Sequence, residues 1–235
     1  MDLESLKTKF QTDKQTEEYQ KVYTKENPLV TINMTTFNRC KILLEYSLPA
    51  ILNQTYKNIE VIVVGDRCTD NTEEQVLKIK DSRLKFYNIS DRPDYPEGTG
   101  RRWLVAGTYP FNHGLSMATG DFISHCDDDD CFTIDKIEKL VKFIQQEKCD
   151  AVHHPFNYSH GLPLNDSSSW FLGRVTTSAL FMHNWFKNIP VDSECYKIGE
   201  PGDWNRCKKI QIIGADIKRH PETLTKLKAP IGYCR

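Results

Sequence analysis

The chain has 235 residues, of which 39% are apolar, and its 31 basic and 32 acidic side chains leave a formal net charge of -1. A chain of this size and composition can bury one substantial core as a single domain without disulfide or metal support. The near-zero net charge excludes a general attraction to nucleic acid or to an anionic membrane, so a small-molecule substrate is favoured and no nucleic-acid partner is expected.

Apolar stretches and cysteines bear on the cellular compartment. No stretch approaches the roughly 18 apolar residues that a transmembrane segment requires, and the first residues lack the apolar centre of a signal peptide. The eight cysteines are scattered without a CxxC pair, which favours free thiols. The sequence therefore predicts no transmembrane segment and a cytoplasmic location.

Residues 1–26 are heavily charged, with a thin apolar stripe that includes Leu6, Phe10 and Tyr19. The spacing of this stripe predicts a polar, helical N-terminal appendage. This segment either binds a partner molecule or an acceptor substrate, or is a loosely packed leader.

Alternating strands and helices follow in the first half. Strands are predicted at PLVTINMTTF, at IEVIVVGD, at LKFYNI (84–89) and at GDFISHC (120–126). Helices are predicted after the first strand with a kink or restart at Pro49, from near Glu73, around 112–118, and after Thr133 as the N-cap. The irregular loop DRPDYPEGTG is long enough to be functional. This alternation predicts an α/β fold with a mostly parallel sheet covered by helices on both faces.

The second half is less regular. AVHHPFNY and SSSWFLGRVTTSALFMH each contain a predicted strand. DWNRCKKIQIIG is typical of a helix that ends at Gly214, because glycine readily adopts the left-handed conformation of a helix C-terminus.

Four consecutive aspartates, Asp127, Asp128, Asp129 and Asp130, follow the strand at 120–126 directly. Like charges a few ångströms apart raise one another's pKa, so a counter-ion is expected. Mg²⁺ or Mn²⁺ would serve, held by one or two carboxylates and by substrate phosphates. The alternative is a solvated acidic turn before the next helix. The position at the carboxyl end of a buried strand, where α/β sheets bind ligands, favours the metal site.

Four segments occur in an order that resembles glycosyltransferase family 2, whose members have the GT-A fold: PLVTINMTTFNR, QTYKNIEVIVVGDRCTDNT, NHGLSMATGDFISHCDDDDCF and GEPGDW. The resemblance implies a Rossmann-type, mostly parallel sheet flanked by helices in a single domain. Within that domain, residues 27–131 would form the nucleotide-sugar-binding half and residues 132–235 the acceptor-binding half.

The resemblance also implies the donor-binding residues. Asp66, at the end of the second strand, corresponds to the residue that hydrogen-bonds the nucleotide base, and Thr36 and Phe37 correspond to residues that line the same pocket.

In the acidic run, the family's Asp-x-Asp motif maps to Asp127, near the ribose and the metal, and to Asp129 on the metal itself, with Asp128 between them on the donor side. Asp128 and Asp130 have the same spacing, so the register stays open.

Asp203 in GEPGDW corresponds to the general base that removes the proton of the acceptor hydroxyl. The sequence departs from the family pattern here, since Gly202 stands where Glu is common, and Glu200 lies two residues further back. The alternative role for Asp203 is the N-cap of a helix starting near Trp204.

Other polar side chains are weaker candidates. Arg102, after the glycine-containing loop, either meets phosphate or is a solvated charge. His113 is expected to make a structural or donor-side contact. His153 and His154 either flank the acceptor cleft or bond to backbone, and His220 is a candidate third metal ligand.

These features favour a metal-dependent, inverting glycosyltransferase that uses Mn²⁺ or Mg²⁺. It would move a sugar from a nucleoside-diphosphate sugar, with UDP-sugars favoured, to a hydroxyl of a saccharide, lipid-linked or protein acceptor. One alternative is a nucleotidyltransferase of similar fold, although such enzymes usually carry a glycine-rich loop where this chain has TTFNRC. The other is a nucleotide-sugar-binding module that has lost catalysis.

Overall fold

The computed structural model describes residues 2–158, 170 and 175–228. Its strands, numbered along the chain, are β1 Val30–Thr36, β2 Ile59–Asp66, β3 Leu84–Ile89, β4 Phe122–Asp127, β5 Cys131–Phe132, β6 Ala151–His153, β7 Phe156–Tyr158, β8 Leu180–His183, β9 Ile217–Arg219 and β10 Thr225–Leu227. Its α-helices are α1 Leu3–Asp13, α2 Glu17–Gln20, α3 Cys40–Ile42, α4 Leu48–Leu52, α5 Thr72–Leu77, α6 Thr99–Val105, α7 Thr108–Met117, α8 Lys136–Glu147 and α9 Gly202–Ile212.

Within the described residues, seven strands form the main sheet in the order β3-β2-β1-β4-β8-β6-β9. The pairs β1/β2, β1/β4, β2/β3 and β6/β9 are parallel, and β4/β8 and β6/β8 are antiparallel. Every residue of β2 is buried, as its continuous β-branched run predicts for a strand covered on both faces. The mostly parallel α/β fold expected from the sequence is confirmed.

A small second sheet, β5-β10-β7, lies beside the acidic run. β10 pairs antiparallel with β5 and parallel with β7. Just after β10, the backbone N–H of Lys228 donates a hydrogen bond to Oδ1 of Asp130 at 2.9 Å. A segment almost a hundred residues later in the chain thus closes one side of the acidic turn.

The helical segment after β1 stays continuous past Pro49. A π-helical turn, Leu43–Ser47, joins α3 to α4, and Pro49 lies in the first turn of α4. Proline lacks an N–H and crowds the carbonyl four residues earlier, and a widened turn accommodates both defects. The chain therefore passes from α3 through the π-helical turn into α4 without leaving the helical conformation.

The start of α8 differs from the sequence-based expectation. The helix begins at Lys136, Asp135 occupies the N-cap position, and no side chain caps it. Thr133 instead donates its backbone N–H to the carbonyl of Leu224. Because Thr133 belongs to this link toward the second sheet, the prediction that it caps the helix is wrong, and Ile134 is 62% exposed rather than part of the buried face.

The N-terminal segment packs on the core. Phe10 of α1 is fully buried, with its ring centroid 4.8 Å from that of Trp185 and 5.5 Å from that of Phe186. The hydroxyl of Tyr19 donates to Oδ1 of Asp150 at 2.8 Å. These contacts differ from those of a loosely packed leader, and they join residues 2–23 to the far half of the chain.

The helix α9 ends as its sequence predicts, with Gly214 in the left-handed conformation at φ +83° just beyond the last turn. The cysteines of the described residues are free thiols. In the same part of the chain, none of the helices has the length and apolarity needed to cross a lipid bilayer.

Candidate active site

The four aspartates form a tight turn at the end of β4, in which the N–H of Asp130 donates to the carbonyl of Asp127 at 3.0 Å. Asp127, Asp129 and Asp130 line a cavity of about 530 Å³, and Asp127 and Asp129 are partly exposed. Asp128 and Asp130 are buried. The turn thus divides the run into two partly exposed carboxylates and two buried ones, of which Asp130 still borders the cavity.

Asp128 ties the turn to the end of β1. Its Oδ2 accepts a hydrogen bond from Thr36 Oγ1 at 2.8 Å, and its Oδ1 lies 2.9 Å from Nη1 of Arg39. Burial raises the pKa of Asp128 to about 6, although the charge of Arg39 acts in the opposite direction. Thr36 and Asp128, both assigned to the donor side from the sequence, therefore bond to each other and do not line this cavity.

Asp127 and Asp129 offer free carboxylate oxygen to the cavity. Oδ1 of Asp127 lies 2.8 Å from Nε2 of His125, and the side chain is 43% exposed. Burial raises the pKa of Asp127, but the hydrogen bond and charge of His125 outweigh it, so the pKa lies below its ordinary value. Oδ2 of Asp129 lies 3.1 Å from Nη1 of Arg39, which offsets part of the local negative charge.

This pair suits a hard divalent cation. Mg²⁺ and Mn²⁺ commonly take one or two protein carboxylates and complete their coordination with substrate phosphates and water. Among residues 2–158, 170 and 175–228, no group of three or more His, Cys, Asp or Glu side chains is arranged to hold a metal ion. Asp127 and Asp129 by themselves suit a cation whose remaining ligands are substrate phosphates and water.

His125 is a site residue that the sequence reasoning missed. It precedes Asp127 by two positions in β4, and side chains two apart on a strand point to the same face. This two-residue spacing from Asp127 is the feature of the sequence that could have identified His125 as a site residue. The ring packs against Phe111, with centroids 4.7 Å apart.

Asp203 lines the same cavity as Asp127, Asp129 and His125. It lies in the first turn of α9, where Pro201 takes the N-cap position and Oδ1 of Asp203 accepts the N–H of Trp204 at 2.7 Å. The helix thus starts before Asp203. Burial and then the negative charge of Asp127 raise the pKa of Asp203 above its ordinary value.

Asp66 ends β2 beneath the loop 90–98. Its Oδ1 accepts a hydrogen bond from Nε of Arg92, and its Oδ2 accepts one from the hydroxyl of Tyr95 at 2.8 Å. The Arg92 guanidinium lies 4.1 Å from the centroid of the Tyr95 ring. Asp66 is therefore covered by the loop, and the loop is fixed to the sheet edge.

A second cavity of about 330 Å³ lies beside this loop. Phe37, which is 47% exposed, lines it together with Arg92, Tyr95 and Arg102. Of the predicted donor-side residues, Phe37 thus faces this second cavity, whereas Asp127 faces the first. Arg102 lies near the Tyr95 ring, 5.9 Å from its centroid.

The histidines proposed from the sequence lie outside the main cavity. His113 packs edge-on to Tyr87. Nδ1 of His154 donates to the carbonyl of Pro155 at 2.8 Å. His220 packs against Phe143, and its Nδ1 accepts the N–H of Glu222 at 3.2 Å, so the structure does not bring it to the carboxylates as a third ligand.

Comparison with known sequences gives a family match over most of the chain. The sequence model described as Glycosyl transferase family 2 matches residues 31–200. The chain belongs to this family. A UDP-Glc:alpha-D-GlcNAc-diphosphoundecaprenol beta-1,3-glucosyltransferase of Escherichia coli is 36% identical over 120 residues, which are 51% of this chain and 43% of the relative.

A second relative belongs to the same kind of enzyme. A GalNAc(5)-diNAcBac-PP-undecaprenol beta-1,3-glucosyltransferase of Campylobacter jejuni is 32% identical over 105 residues, or 44% of this chain and 30% of the relative. This chain thus matches less than half the length of either relative.

Solved structures show the same fold. S. aureus TarS 1-349 in complex with UDP-GlcNAc has a TM-score of 0.67 at 19% identity, over 87% of this chain and 59% of the other. A mannosyltransferase from Pyrobaculum calidifontis in complex with GDP-Man and Mn²⁺ has a TM-score of 0.64 at 18% identity, over 99% and 70% of the two chains. The GT-A-like fold implied by the sequence resemblance is confirmed.

Proposed function

We propose that this member of glycosyl transferase family 2 is a metal-dependent, inverting glycosyltransferase that moves a sugar from a nucleoside-diphosphate sugar to an acceptor hydroxyl. The observation that carries the proposal is that Asp127, Asp129 and Asp203 all line the same cavity. Two of these carboxylates suit a cation on the donor diphosphate, and the third suits a base for the acceptor.

The donor would span the two cavities. Its base would lie beside Phe37 and the loop over Asp66, and its diphosphate would reach Asp127 and Asp129. Mn²⁺ or Mg²⁺, when bound, would neutralise negative charge that develops on the departing nucleoside diphosphate. Arg39, between Asp128 and Asp129, would keep the acidic turn from repelling the phosphates before the cation arrives.

Asp203 would remove the proton of the acceptor hydroxyl as its oxygen attacks the anomeric carbon. A general base works best when its pKa lies near the working pH, and the burial that raises the pKa of Asp203 acts in that direction. The attacking oxygen would approach from the side of Asp203, opposite the departing diphosphate, so the anomeric configuration would invert.

The comparisons favour a UDP-sugar donor and a lipid-linked saccharide acceptor. The relative from Escherichia coli is named for UDP-Glc and a diphosphoundecaprenol-linked GlcNAc, and TarS binds UDP-GlcNAc. Trp103, which is 71% exposed, and Trp204 both line the cavity beside Asp203. Indole rings would supply the flat apolar surface on which the acceptor sugar ring can rest.

Nucleotide release with and without acceptor tests the proposal. The chain is incubated with Mn²⁺ and UDP-glucose, UDP-GlcNAc, GDP-mannose or TDP-glucose, with a GlcNAc-diphosphate-lipid analogue as acceptor and EDTA as the control. We expect metal-dependent release that the acceptor accelerates, and a β-linked product by NMR. Binding of a nucleotide sugar without any turnover would instead indicate an inactive binding module, and release of pyrophosphate would indicate a nucleotidyltransferase.

Two further sequence-based expectations stay predictions. The division into a donor half at 27–131 and an acceptor half at 132–235 is tested by mapping which half nucleotide and acceptor protect from hydrogen exchange. The cytoplasmic location is tested by cell fractionation.

A further inference from the structure

The proposed metal ligand Asp127 is hydrogen-bonded to a buried histidine. His125 is 6% exposed, and its Nε2 lies 2.8 Å from Oδ1 of Asp127. Both residues belong to β4, whose parallel pairing with β1 sets His125 opposite Asn33 and Asp127 opposite Thr35. The rigid centre of the sheet therefore fixes the imidazole relative to the carboxylate.

The contact with Asp127 shows that Nε2 of His125 carries a hydrogen. Nδ1 of His125 is buried and has no hydrogen-bond partner among the described residues. The oxygens of the Asp127 carboxylate only accept hydrogen bonds. Nε2 therefore carries the hydrogen and donates it to Oδ1 of Asp127.

This arrangement is unfavourable for folding. A buried polar nitrogen without a partner loses its interaction with water and gains none in return. A phenyl ring at position 125 would keep the contact with Phe111 and would leave no unpaired nitrogen. Packing against Phe111 therefore does not require a histidine at this position.

We propose that His125 is a positioning residue for the divalent cation. It holds Oδ1 of Asp127 and so leaves the other oxygen, Oδ2, available to a cation bound in the cavity that Asp127 shares with Asp129. This inference rests on the proposed function, in which Asp127 and Asp129 bind the cation. Partners that orient metal ligands typically contribute 10–100-fold to metal affinity, and His125 acts on the affinity for the cation rather than on the chemical step.

The test compares Mn²⁺ affinity with stability in the same preparations. Mn²⁺ binding is titrated by water-proton relaxation enhancement, with and without UDP, and unfolding is followed in urea. For His125→Phe we expect the Mn²⁺ dissociation constant to rise 10–100-fold while stability is equal or greater. Turnover should return to near the native value at saturating Mn²⁺.

Two further variants separate positioning from packing. His125→Gln retains an N–H near the place of Nε2 and should recover most of the Mn²⁺ affinity. His153→Phe is the matched control, because His153 is another buried strand histidine with an unpaired Nδ1, outside the cavity. It should leave Mn²⁺ affinity unchanged.

Several outcomes would overturn the inference. Native or tighter Mn²⁺ affinity in His125→Phe excludes a positioning role, while the proposed function stands. Weaker binding that accompanies lost stability and is not recovered by His125→Gln identifies a structural role only. If the native chain binds no Mn²⁺ even with UDP, the metal-dependent function itself fails, and the inference fails with it.

Discussion

At the scale of single residues, Asp203 and Glu200 differ in what surrounds their carboxylates. Asp203 faces the cavity, and its pKa is raised by burial and by Asp127. Glu200 is bonded on one oxygen to Lys208 and on the other to Asn205, and these bonds lower its pKa. A carboxylate with free oxygen and a raised pKa is the better base, which favours Asp203 although Gly202 departs from the family pattern.

Asp203→Asn should lower sugar transfer by roughly 10²–10⁴-fold, the usual contribution of general base catalysis. The asparagine is nearly isosteric and its oxygen can still accept the N–H of Trp204, so stability and donor affinity should hardly change. The measurements are a melting curve, a donor titration and a transfer assay. Glu200→Gln is the matched control and should retain activity; native transfer by Asp203→Asn together with loss in Glu200→Gln would reassign the base.

The two alternating pairs of the acidic run can be separated by substitution. Asp129→Asn should abolish Mn²⁺-dependent nucleotide binding and turnover without unfolding the chain, because Arg39 keeps its contact with Asp128. Asp128→Asn should act mainly on the anchoring of the turn to Thr36 and leave Mn²⁺ binding in place. Isothermal titration of UDP with Mn²⁺ measures both variants. Loss of metal-dependent binding in Asp128→Asn alone would move the motif to Asp128 and Asp130.

The sequence predicts where the acidic run lies but not which of its carboxylates are partly exposed and which are buried. Its position follows from the apolar strand before it. The alternation within the run depends on the turn and on partners such as Thr36, Arg39 and Lys228, which are 89 to 98 residues away from the aspartates they contact. No local pattern encodes these partners, although the two-residue spacing of His125 from Asp127 could have been recognised.

At the scale of elements, the loop 90–98 is fixed to the end of β2 by a buried ion pair. Arg92 bonds to Asp66, and both side chains are almost fully buried. A second ion pair also holds the loop, since Nη1 of Arg67 lies 2.6 Å from Oδ1 of Asp94. The loop, which is irregular in sequence and is predicted to be long enough to be functional, is therefore held in place and lines the second cavity.

Asp66→Ala should reduce stability as well as donor affinity, because it leaves the charge of Arg92 buried without a partner, a loss of about 3–5 kcal/mol. The double variant Asp66→Ala with Arg92→Met removes both charges and should regain most of the stability. If Asp66 also contacts the nucleotide base, donor affinity stays low in the double variant. Urea unfolding and UDP titration distinguish the two effects; native affinity in the double variant would restrict Asp66 to holding the loop.

Long apolar strands were predictable, whereas the short ones were not. β2 follows from its nearly continuous β-branched run, as expected of a strand covered on both faces, and β4 follows from the apolar residues Phe122 and Ile123 ahead of the acidic run. AVHHPFNY, read as one strand, is divided into β6 and β7, which belong to different sheets. The division depends on β9 and β10, which come more than sixty residues later and pair with these strands.

At the scale of the whole molecule, the N-terminal segment is joined to the main sheet through His183. The Tyr19 ring is stacked on the His183 ring at 3.7 Å between centroids. Nδ1 of His183 accepts the N–H of Trp185 at 2.9 Å, and Nε2 donates to the carbonyl of Tyr19 at 3.1 Å. Both nitrogens of the neutral ring are satisfied, so a second proton would replace an acceptor with a donor that faces an N–H.

This arrangement makes stability depend on pH. Burial lowers the pKa of His183 from 6.5 to about 4. In the unfolded chain the ring takes up a proton near its ordinary pKa, so below pH 6.5 the unfolded state binds more protons and stability falls as pH decreases toward 4.

Against His183→Asn, which keeps an acceptor for Trp185 but does not titrate, the native chain should lose about 2 kcal/mol of unfolding free energy between pH 7 and pH 5. Urea unfolding at pH 7, 6 and 5 measures the difference, in which the other titrating groups cancel because both chains contain them. Parallel pH profiles would show that His183 keeps its ordinary pKa in the folded protein, and that its two hydrogen bonds do not exclude the second proton.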